Sequence, residues 1–389
     1  MPSAHDVRVS DVIGGHCDPR FDTLRTALAE EISSGEELGA AIAVDIDGVM
    51  VVDIWGGHAD AAKTRDWGQD TIVNLWSSTK PVSSLAALVL ASRGLLDVFA
   101  PVAEYWPEFG ANGKQDIEVR HILSFTSGVS GWDAPFTIED VYDWQKATSQ
   151  LARQAPWWPP GSASGYHLLN YGHLVGEIVR RVSGKTLKDF VREEIAVPLD
   201  ADIQIGARDE DEDRIAEVIP PPPLEIPLDV LPKDSPMFKT FSAPEMVGAE
   251  VAHTAAWRHA DIGGANGHGN ARSLVRALSP ISLGGKANGV QLLRPETIDL
   301  IFSEQSNGID EILAVPLRMG IGFGLPEPMS FPMIPEGRIC FWGGWGGSAV
   351  TMNPDQGATF SYVMNKMGPG TTGTERTLRY TRLFYDALD

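Results

Sequence analysis

The stretch that decides the fold is NLWSSTKPVSSL, residues 74–85. It contains a serine, two further residues and a lysine, Ser77 and Lys80, and Pro81 follows directly. Proline breaks a helix interior but is tolerated in the first turn, where the N–H groups have no intrahelical partner. Pro81 therefore predicts that Ser77 lies at a helix N-terminus with Lys80 one turn along. That spacing puts the two side chains on one face and within reach of each other.

This pair has two interpretations. A serine hydroxyl is a weak nucleophile until a neighbouring group takes its proton, and Lys80 can do this only in its neutral form. Burial and the positive potential of a helix N-terminus lower a lysine pKa, and the apolar segment that follows, PVSSLAALVLASRGLLD, predicts a buried helix. The alternative is that Ser77 is a helix cap and Lys80 a surface lysine. A chain rich in serine contains one such spacing by chance about as often as not, so the rest of the sequence must decide.

The composition is that of a globular protein, with 389 residues, 43% hydrophobic residues, 21% charged residues and a net charge of −21. The length suffices for one large domain or two smaller ones. The acidic surplus argues against nucleic acid and against anionic membrane surfaces as partners. Two distant cysteines, Cys17 and Cys340, form no disulfide framework. No signal peptide and no apolar run near the roughly 18 residues of a membrane helix is visible, so we expect a cytoplasmic location.

Both ends of the chain show strands and helices. Residues 21–32 have the periodicity of an amphipathic helix. A hairpin follows, with Asp47-Gly48 as a strong signal for its two-residue turn. The end of the chain predicts, in order, a strand over 338–352, a turn, a strand over 358–365 and a helix over 374–388.

The middle of the chain shows helices and loops. Residues 168–182 predict a helix that stops at Gly184, and Asn270 is the expected N-cap of another. Residues 207–245 are acidic and then rich in proline. We interpret them as a long loop that helps to form the rim of a pocket.

This arrangement predicts an α+β fold. Its antiparallel sheet is built from both chain termini, with flanking helices, and a mainly helical region is inserted between them. We assign residues 1–70 and 285–389 to the sheet domain and residues 71–284 to the helical domain. The active site is expected at the junction of the two.

Two further stretches change the interpretation of the Ser77–Lys80 pair. In WWPPGSASGYHLLNYGHLVGE, residues 157–177, a Pro-Gly turn leads to Tyr166 just ahead of the predicted helix. In FWGGWGGS, residues 341–348, a glycine-rich strand allows a ligand to approach closely. Each stretch alone also has a plainer interpretation, a packing tyrosine in the first and a strand bulge in the second.

Taken together, the three stretches resemble the motifs of class C β-lactamase-type serine hydrolases, and more closely those of the family VIII carboxylesterases in that penicillin-binding-protein-like superfamily. The family order is Ser-x-x-Lys, a catalytic Tyr opening a Tyr-x-Asn-like motif, and a Lys-Thr-Gly strand or its substitute. The resemblance covers nearly the whole chain and is weakest over residues 200–260. Supporting stretches include HILSFTSGVSG, NGHGNARSL and GSAVTMNPDQG. The corresponding residues here are Ser77-Ser78-Thr79-Lys80, Tyr166-His167-Leu168 and Trp342-Gly343-Gly344.

The resemblance implies a β-lactamase-like fold and two-step acyl transfer. Ser77 would be the nucleophile, and Lys80 and Tyr166 would share the proton transfers, with the acylation base left open between them. The oxyanion would lie between the backbone N–H groups of Ser77 and Trp345. No metal and no organic cofactor is implied.

Departures from the family pattern point to the substrate. Leu168 stands where the family has asparagine, and Trp342-Gly343 replaces Lys-Thr ahead of Gly344. In the lactamases these polar groups help to hold the amide and carboxylate of a β-lactam. An apolar lining of Trp342 and Trp345, together with Trp132, suits an uncharged small-molecule ester. The resemblance therefore implies hydrolysis of short-chain carboxylic esters.

Other readings remain open at this point. No Gly-x-Ser-x-Gly of an α/β-hydrolase and no HExxH exists, and His253, His259 and Asp261 fit a helix surface better than a metal site. On the same scaffold the activity could be that of a β-lactamase, an amidase, an acyltransferase or a D-amino-acid peptidase. A penicillin-binding-like sensor that acylates slowly is the non-enzymatic alternative. The natural ester, its acyl length and the oligomeric state are not specified by the sequence.

Overall fold

The structure is a computed structural model that describes residues 13–222, 228–245, 248–370 and 373–388. The N-terminal residues 1–12, which were searched for a signal peptide, lie outside the described residues. Residues 223–227 of the proline-rich segment also lie outside them. None of the described helices is long and apolar enough to cross a membrane.

Strands from both ends of the chain form the main sheet. Six of them are antiparallel neighbours in the order β1-β3-β2-β13-β12-β11, and the remaining strands form small two- and three-stranded sheets. This confirms the α+β fold with a sheet built from both termini. Within the described ranges the strands are β1 (Ile13–Cys17), β2 (Gly39–Ile46), β3 (Val49–Gly57), β4 (Val73–Asn74), β5 (Gln204–Ile205), β6 (Gly267–Gly269), β7 (Lys286–Ala287), β8 (Val290–Gln291), β9 (Ser306–Ile309), β10 (Pro316–Met319), β11 (Cys340–Gly343), β12 (Ala349–Asn353) and β13 (Ala358–Met364).

Helices cover the sheet and fill the region between its two halves. α1 and α13 pack together beside β3 and β13, and α11 packs on β2, β12 and β13. The central helix α2 packs on α7 and α8. The helices are α1 (Asp22–Ser34), α2 (Lys80–Ser92), α3 (Val102–Tyr105), α4 (Val119–Leu123), α5 (Ile138–Tyr142), α6 (Trp144–Arg153), α7 (Asn170–Ser183), α8 (Leu187–Val191), α9 (Pro236–Ser242), α10 (Ala255–His259), α11 (Ala271–Ser282), α12 (Pro295–Ile301) and α13 (Glu375–Leu388).

The predicted hairpin is confirmed. β2 and β3 pair in antiparallel register around Asp47 and Gly48, whose φ angles of 53° and 82° are both positive. Positive φ at both positions defines a type I′ turn, whose twist matches that of the two strands. Asp and Gly are among the residues that adopt this conformation most readily.

The predicted single strand over 338–352 is wrong. It consists of two strands, β11 and β12, which pair in antiparallel register from Gly343 opposite Ala349. The chain reverses between them because Gly346 and Gly347 have φ angles of 88° and 124°, a region that other residues rarely adopt. The glycines therefore form a reverse turn at the end of the strand, and this turn faces the region around Ser77.

Helix boundaries follow the predicted caps. Asn270 caps α11, because its side chain accepts a hydrogen bond from the N–H of Ser273 at 2.9 Å. Gly184 ends α7 with a φ of 76°. α11 lies in the range assigned to the helical domain, yet Ser282 donates to the carbonyl of Ala358 in the sheet at 2.8 Å. The division into two domains therefore stays a prediction.

The segment 207–245 contains more structure than the predicted loop. Residues Asp209–Arg214 form a 3₁₀ turn, and α9 forms near its end. Between them Ile215 pairs with Ile72, and Ile219 pairs with Lys366 beyond the end of β13. The described part of this segment therefore runs from the residue before β4, in the three-stranded sheet, to the residues after β13 in the main sheet. Its role at a pocket rim stays a prediction.

Candidate active site

Ser77 lies in a tight turn that leads directly into α2. Trp76–Thr79 form a 3₁₀ turn, Lys80 is the first residue of the helix, and Pro81 is the second. Trp76 has a φ of 49°, an uncommon conformation for a residue with a large side chain. Strain of this kind is found mostly where the surroundings fix a functional side chain. The Ser77 side chain stays partly exposed at this turn.

Lys80 is buried beside Ser77, so the surface-lysine interpretation is wrong. The side chain is 1% exposed, and its Nζ lies 3.1 Å from Ser77 Oγ. Nζ also donates to the carbonyls of Leu168 and Gly264, both at 2.8 Å. Burial holds the pKa of Lys80 well below its usual range, because the charged form loses hydration. Burial therefore favours the neutral form of the amine beside the serine.

Tyr166 reaches Ser77 from the other side. Its hydroxyl donates to Ser77 Oγ at 2.5 Å, and Lys80 Nζ lies 4.5 Å from the centre of its ring. The ring is buried against Phe125 at 5.2 Å and stacks on Trp342 at 5.8 Å, between centroids. Burial raises the pKa of the phenol, so Tyr166 is protonated at neutral pH. The same burial moves the pKa of the two groups beside Ser77 in opposite directions.

The glycine-rich turn after β11 sits against the Ser77 turn. A Cβ atom on Gly344 would lie 2.5 Å from the carbonyl oxygen of Leu75 and would collide with Ser348 Oγ. Only glycine allows this approach. Trp345, the next residue, packs edge-on against Trp76 with 5.0 Å between ring centroids. The structure thus places Trp342, Gly343, Gly344 and Trp345 on the strand and turn that border Ser77 and Tyr166.

Trp132 is not brought into this group. It is 1% exposed, its Nε1 donates to the carbonyl of Ala147 at 3.0 Å, and its ring stacks on Phe136 at 4.7 Å. Its ring also meets His173 edge-on. These contacts hold Trp132 in the packing of α6 and α7 and do not direct it to Ser77.

Several residues at the site were missed by sequence reasoning. Ser348 Oγ donates to the carbonyl of Leu75 at 3.0 Å and shares a hydrogen bond with Ser78 Oγ at 2.9 Å, which joins the two turns. Asp310 accepts from the backbone N–H of Tyr166 at 3.0 Å. Phe125 lies in the stretch HILSFTSGVSG, which carried a signal, whereas a lone serine or aspartate in a turn carries none.

Next to Tyr166 and Trp342 a pocket opens with mostly apolar walls. Gly343, Ser348 and Ala349 also border it, which connects it to the strand and turn beside Ser77. Among the described residues no group of three or more His, Cys, Asp and Glu side chains could hold a metal ion. The apolar walls are formed by Leu313, Phe331, Met333, Ile334 and Phe341.

Comparison with known proteins places this geometry in a family. The family described as Beta-lactamase matches residues 24–382. The esterase/beta-lactamase LipL of Mycobacterium tuberculosis is 34% identical over 364 residues, which cover 91% of this chain and 83% of LipL. The esterase EstB of Burkholderia gladioli is 30% identical over 179 residues, which cover 42% of this chain and 45% of EstB.

Solved structures agree over almost the whole length. The crystal structure of a family VIII carboxylesterase superposes with a TM-score of 0.90 at 34% identity, covering 96% of this chain and 99% of the other. A penicillin-binding protein homologue from Caulobacter crescentus gives 0.87 at 36% identity, with the same coverage. The architecture is therefore the β-lactamase-like α+β fold. Since the family match spans most of the sequence, the chain belongs to the β-lactamase family.

Proposed function

We propose that this chain is a carboxylesterase that cleaves short-chain carboxylic esters through an acyl-enzyme on Ser77. The observation that carries this proposal is the position of Ser77 Oγ, within hydrogen-bond reach of both Lys80 Nζ and Tyr166 OH. A serine becomes a nucleophile when a positioned base takes its proton. The names of the esterase/beta-lactamase LipL, the esterase EstB and the family VIII carboxylesterase support an ester as the substrate.

In the first step Ser77 Oγ bonds to the ester carbonyl carbon and its proton goes to neutral Lys80. The bond to the leaving alkoxide breaks, and this alkoxide takes the phenolic proton of Tyr166. The opposite pKa shifts of the two groups support this assignment, since a catalytic base must start neutral and a catalytic acid must start protonated. The products of the step are the alcohol, the acyl-enzyme, a Lys80 ammonium and a Tyr166 phenolate.

In the second step the Tyr166 phenolate takes a proton from water, whose oxygen bonds to the acyl carbon. The bond to Ser77 Oγ breaks, and the proton on Lys80 returns to that oxygen. Backbone N–H groups of Ser77 and Trp345 are the proposed donors to the oxyanion in both steps. The close approach of Gly344 to Leu75 supports this, because it brings the two turns together.

The apolar lining supports a neutral substrate. Trp342 and the pocket beside it present mainly hydrocarbon surface, and a charged group there would lose hydration without a partner. Lactam hydrolysis is the second candidate, because the name of LipL includes beta-lactamase. Against it stand Leu168, Trp342 and Gly343, which supply no cationic or hydroxyl side chain to hold a lactam carboxylate.

The test is a panel of nitrophenyl esters of graded acyl length, run beside a chromogenic cephalosporin and an aminoacyl amide. We expect repeated turnover of the short esters and the highest kcat/KM for them. A fluorophosphonate probe should add its mass to the peptide that contains Ser77. Preference for the cephalosporin, or a label that stays on Ser77 with no ester turnover, would favour a lactamase or a sensor instead.

A further inference from the structure

Asp310 is a buried carboxylate beside the proposed catalytic tyrosine. It follows β9 directly and is 0% exposed. Its Oδ1 accepts hydrogen bonds from the backbone N–H groups of Tyr166 at 3.0 Å, Ile312 at 3.0 Å and Leu313 at 2.9 Å. Its Oδ2 is buried and has no hydrogen-bond partner among the described residues. One oxygen of this side chain thus binds three amides and the other binds none.

Two hydrogen bonds hold the turn that carries Asp310 against the Tyr166 segment. The first runs from the N–H of Tyr166 to Asp310 Oδ1. The second runs from the N–H of Glu311 to the carbonyl of Ser164 at 2.9 Å. The backbone of Asp310 is held in place as well, because its N–H donates to the carbonyl of Val315 at 3.0 Å. The hairpin β9–β10 therefore sets the backbone from which the phenol extends toward Ser77.

These hydrogen bonds do not explain why the side chain is charged. An asparagine oxygen could accept from the same three N–H groups, and a buried carboxylate with an unpartnered oxygen costs free energy. A feature that costs stability and adjoins a reacting group calls for a role in the chemistry. What the carboxylate adds, and asparagine cannot add, is a negative charge near the phenol.

We propose that Asp310 is a positioning residue for Tyr166 that fixes its backbone and, by its negative charge, strengthens the phenolate as the base of the second step. This rests on the proposed function, in which Tyr166 first gives and then takes a proton. A phenol that holds its proton more firmly becomes a stronger base once it has lost it. The same charge would therefore help the water-activating second step.

The other titratable groups around the phenol supply no negative charge at neutral pH. Burial lowers the pKa of His167 to about 3, so its ring is neutral, and burial raises the pKa of the Tyr171 phenol. Burial also holds the pKa of Lys80 well below its usual range, and neither form of an amine is negative. Burial and, to a smaller extent, the charge of Asp310 raise the pKa of Tyr166.

The experiment compares the pH dependence of kcat/KM for a short nitrophenyl ester in the wild type, Asp310→Asn and Asp310→Ala. The asparagine variant keeps the acceptor and loses the charge. Tyr166 should then lose its proton more easily, so the basic limb of the profile should move to lower pH by roughly half a unit to one unit, while the acidic limb, which Lys80 sets, should stay in place. The alanine variant also loses the acceptor, and its kcat should fall by about 10-fold or more with little change in KM.

Asp45→Asn is the matched control. Asp45 is also a buried carboxylate in a hairpin, where it accepts from the N–H of Gly48 at 2.9 Å. In the main sheet Asp45 lies opposite Thr359, which lies opposite Met352. This row is three residues along β12 from Ala349, which borders the pocket beside the site. Its neutralisation should leave both limbs and kcat unchanged.

The outcomes separate the two proposals. No ester turnover by the wild type would overturn the proposed function. Suppose that the wild type turns over esters and that Tyr166→Phe loses this activity. If Asp310→Asn then has the pH profile of the wild type, or Asp310→Ala has the kcat of the wild type, only the role of Asp310 is overturned. If the asparagine variant does not fold, Asp310→Glu carries the test. It keeps the charge but changes the reach, so kcat should fall while the limbs stay in place, and moved limbs would contradict us.

Discussion

Two lysines are fully buried in the part of the chain that the structure describes, and the difference between their surroundings identifies the one that acts. Lys114 is 0% exposed and donates to three carbonyls, those of Ala111, Ala152 and Gln154. Lys80 is 1% exposed and donates to two carbonyls and to Ser77 Oγ. An ammonium group has three N–H donors, whereas a neutral amine has two and a lone pair. Carbonyls can only accept, so three of them fit the charged form, whereas the Ser77 hydroxyl can also donate to the lone pair of a neutral Lys80.

The pKa shifts of the two lysines agree with this difference in their hydrogen-bond partners. Burial lowers the pKa of Lys114 to about 8, which leaves it charged at neutral pH. Burial moves the pKa of Lys80 well below its usual range. A buried lysine is therefore no sign of catalysis by itself, and what matters is whether its lone pair has a proton to take. Substitutions at Ser77, Lys80 and Lys114 should therefore separate the lysine that takes a proton from the lysine that only holds carbonyls.

Ser77→Ala removes the hydroxyl that the Lys80 lone pair faces. Ester turnover should fall by at least about 10³-fold, because loss of a nucleophile removes the covalent route. Nitrophenyl ester hydrolysis measures this loss. The same preparation should no longer take up a fluorophosphonate. A variant with full activity, or a label on another serine, would show that the wrong hydroxyl has been assigned.

Lys80→Met and Lys114→Met exchange the two buried amines for an apolar chain of similar length. At Lys80 turnover should fall by about 10²-fold or more, and stability should fall as well, because the carbonyls of Leu168 and Gly264 lose their donor. At Lys114 three carbonyls lose their donor, so stability should fall by about 1–3 kcal/mol while kcat is kept. Denaturant unfolding and ester kinetics on both variants check this. Equal loss of kcat in the two would break the comparison.

Tyr166→Phe should lower turnover on the same scale as Lys80→Met, because it removes the acid of the first step and the base of the second. Residues that act as a unit are not additive. The double variant Lys80→Met with Tyr166→Phe should therefore lose little more than the worse single variant. Losses that multiply would show that the two groups act independently.

The pH profile of the wild type sharpens the comparison further. Protonated Lys80 cannot accept the Ser77 proton, so kcat/KM should fall as the pH drops through the Lys80 pKa. At high pH Tyr166 loses its proton and can no longer act as the acid, which should produce the basic limb. Protonation of Lys114 should leave no trace in this profile, and Lys114→Met should reproduce both limbs. A limb that is lost in that variant would contradict the assignment.

Gly344→Ala tests the contact between the two turns without touching either lysine. The new methyl group would meet the carbonyl of Leu75 and Ser348 Oγ, so the turn that carries Trp345 must move. Turnover should fall by roughly 10-fold, in line with the weakening of an oxyanion donor that is displaced rather than removed. Gly68→Ala is a control for the change of residue type, because the atom nearest to its added methyl group is Thr71 Oγ1 at 3.8 Å, an ordinary contact. Wild-type kcat in Gly344→Ala would remove the support for the Trp345 donor.

The sequence was sufficient for the parts of the site that depend on local rules. Pro81 placed Ser77 ahead of a buried helix, and Asp47-Gly48 fixed the hairpin, because each limits its own backbone. The acceptors of Lys80 could not be foreseen, since they are the backbone carbonyls of Leu168 and Gly264, which every residue type possesses. The burial of Lys114 could not be foreseen for the same reason, whereas Lys80 was singled out by its spacing from Ser77.

Long-range packing accounts for the remaining errors. Trp132 was expected at the site for its apolar surface, but hydropathy does not tell which core receives a side chain. The strand over 338–352 was predicted as continuous because glycines fit both a strand and a turn, and their positive φ angles appear only in the folded chain. Asp310 gave no signal, since its role depends on a contact across 144 positions in the sequence.

A third buried lysine can be introduced on β11, beside Tyr166. Trp342→Lys with Gly343→Thr restores the residue types of the Lys-Thr-Gly strand and should shift the ratio of kcat/KM toward a chromogenic cephalosporin and away from a short nitrophenyl ester. The shift should be a few-fold only. Trp342 is 7% exposed and stacks on Tyr166, so the new ammonium would lie among apolar groups, where a charge is costly.

Its effect on Lys80 separates substrate binding from a change in the catalytic base. A second positive charge near Lys80 would lower the Lys80 pKa further and move the acidic limb of ester hydrolysis to lower pH. Trp342→Met with Gly343→Thr is the matched control, because it removes the ring without adding a charge. If the control gains as much cephalosporin activity as the lysine variant, space and not charge limits the lactam. If the wild-type chain already prefers the cephalosporin, Leu168, Trp342 and Gly343 do not mark an ester site, and the substrate we propose is wrong.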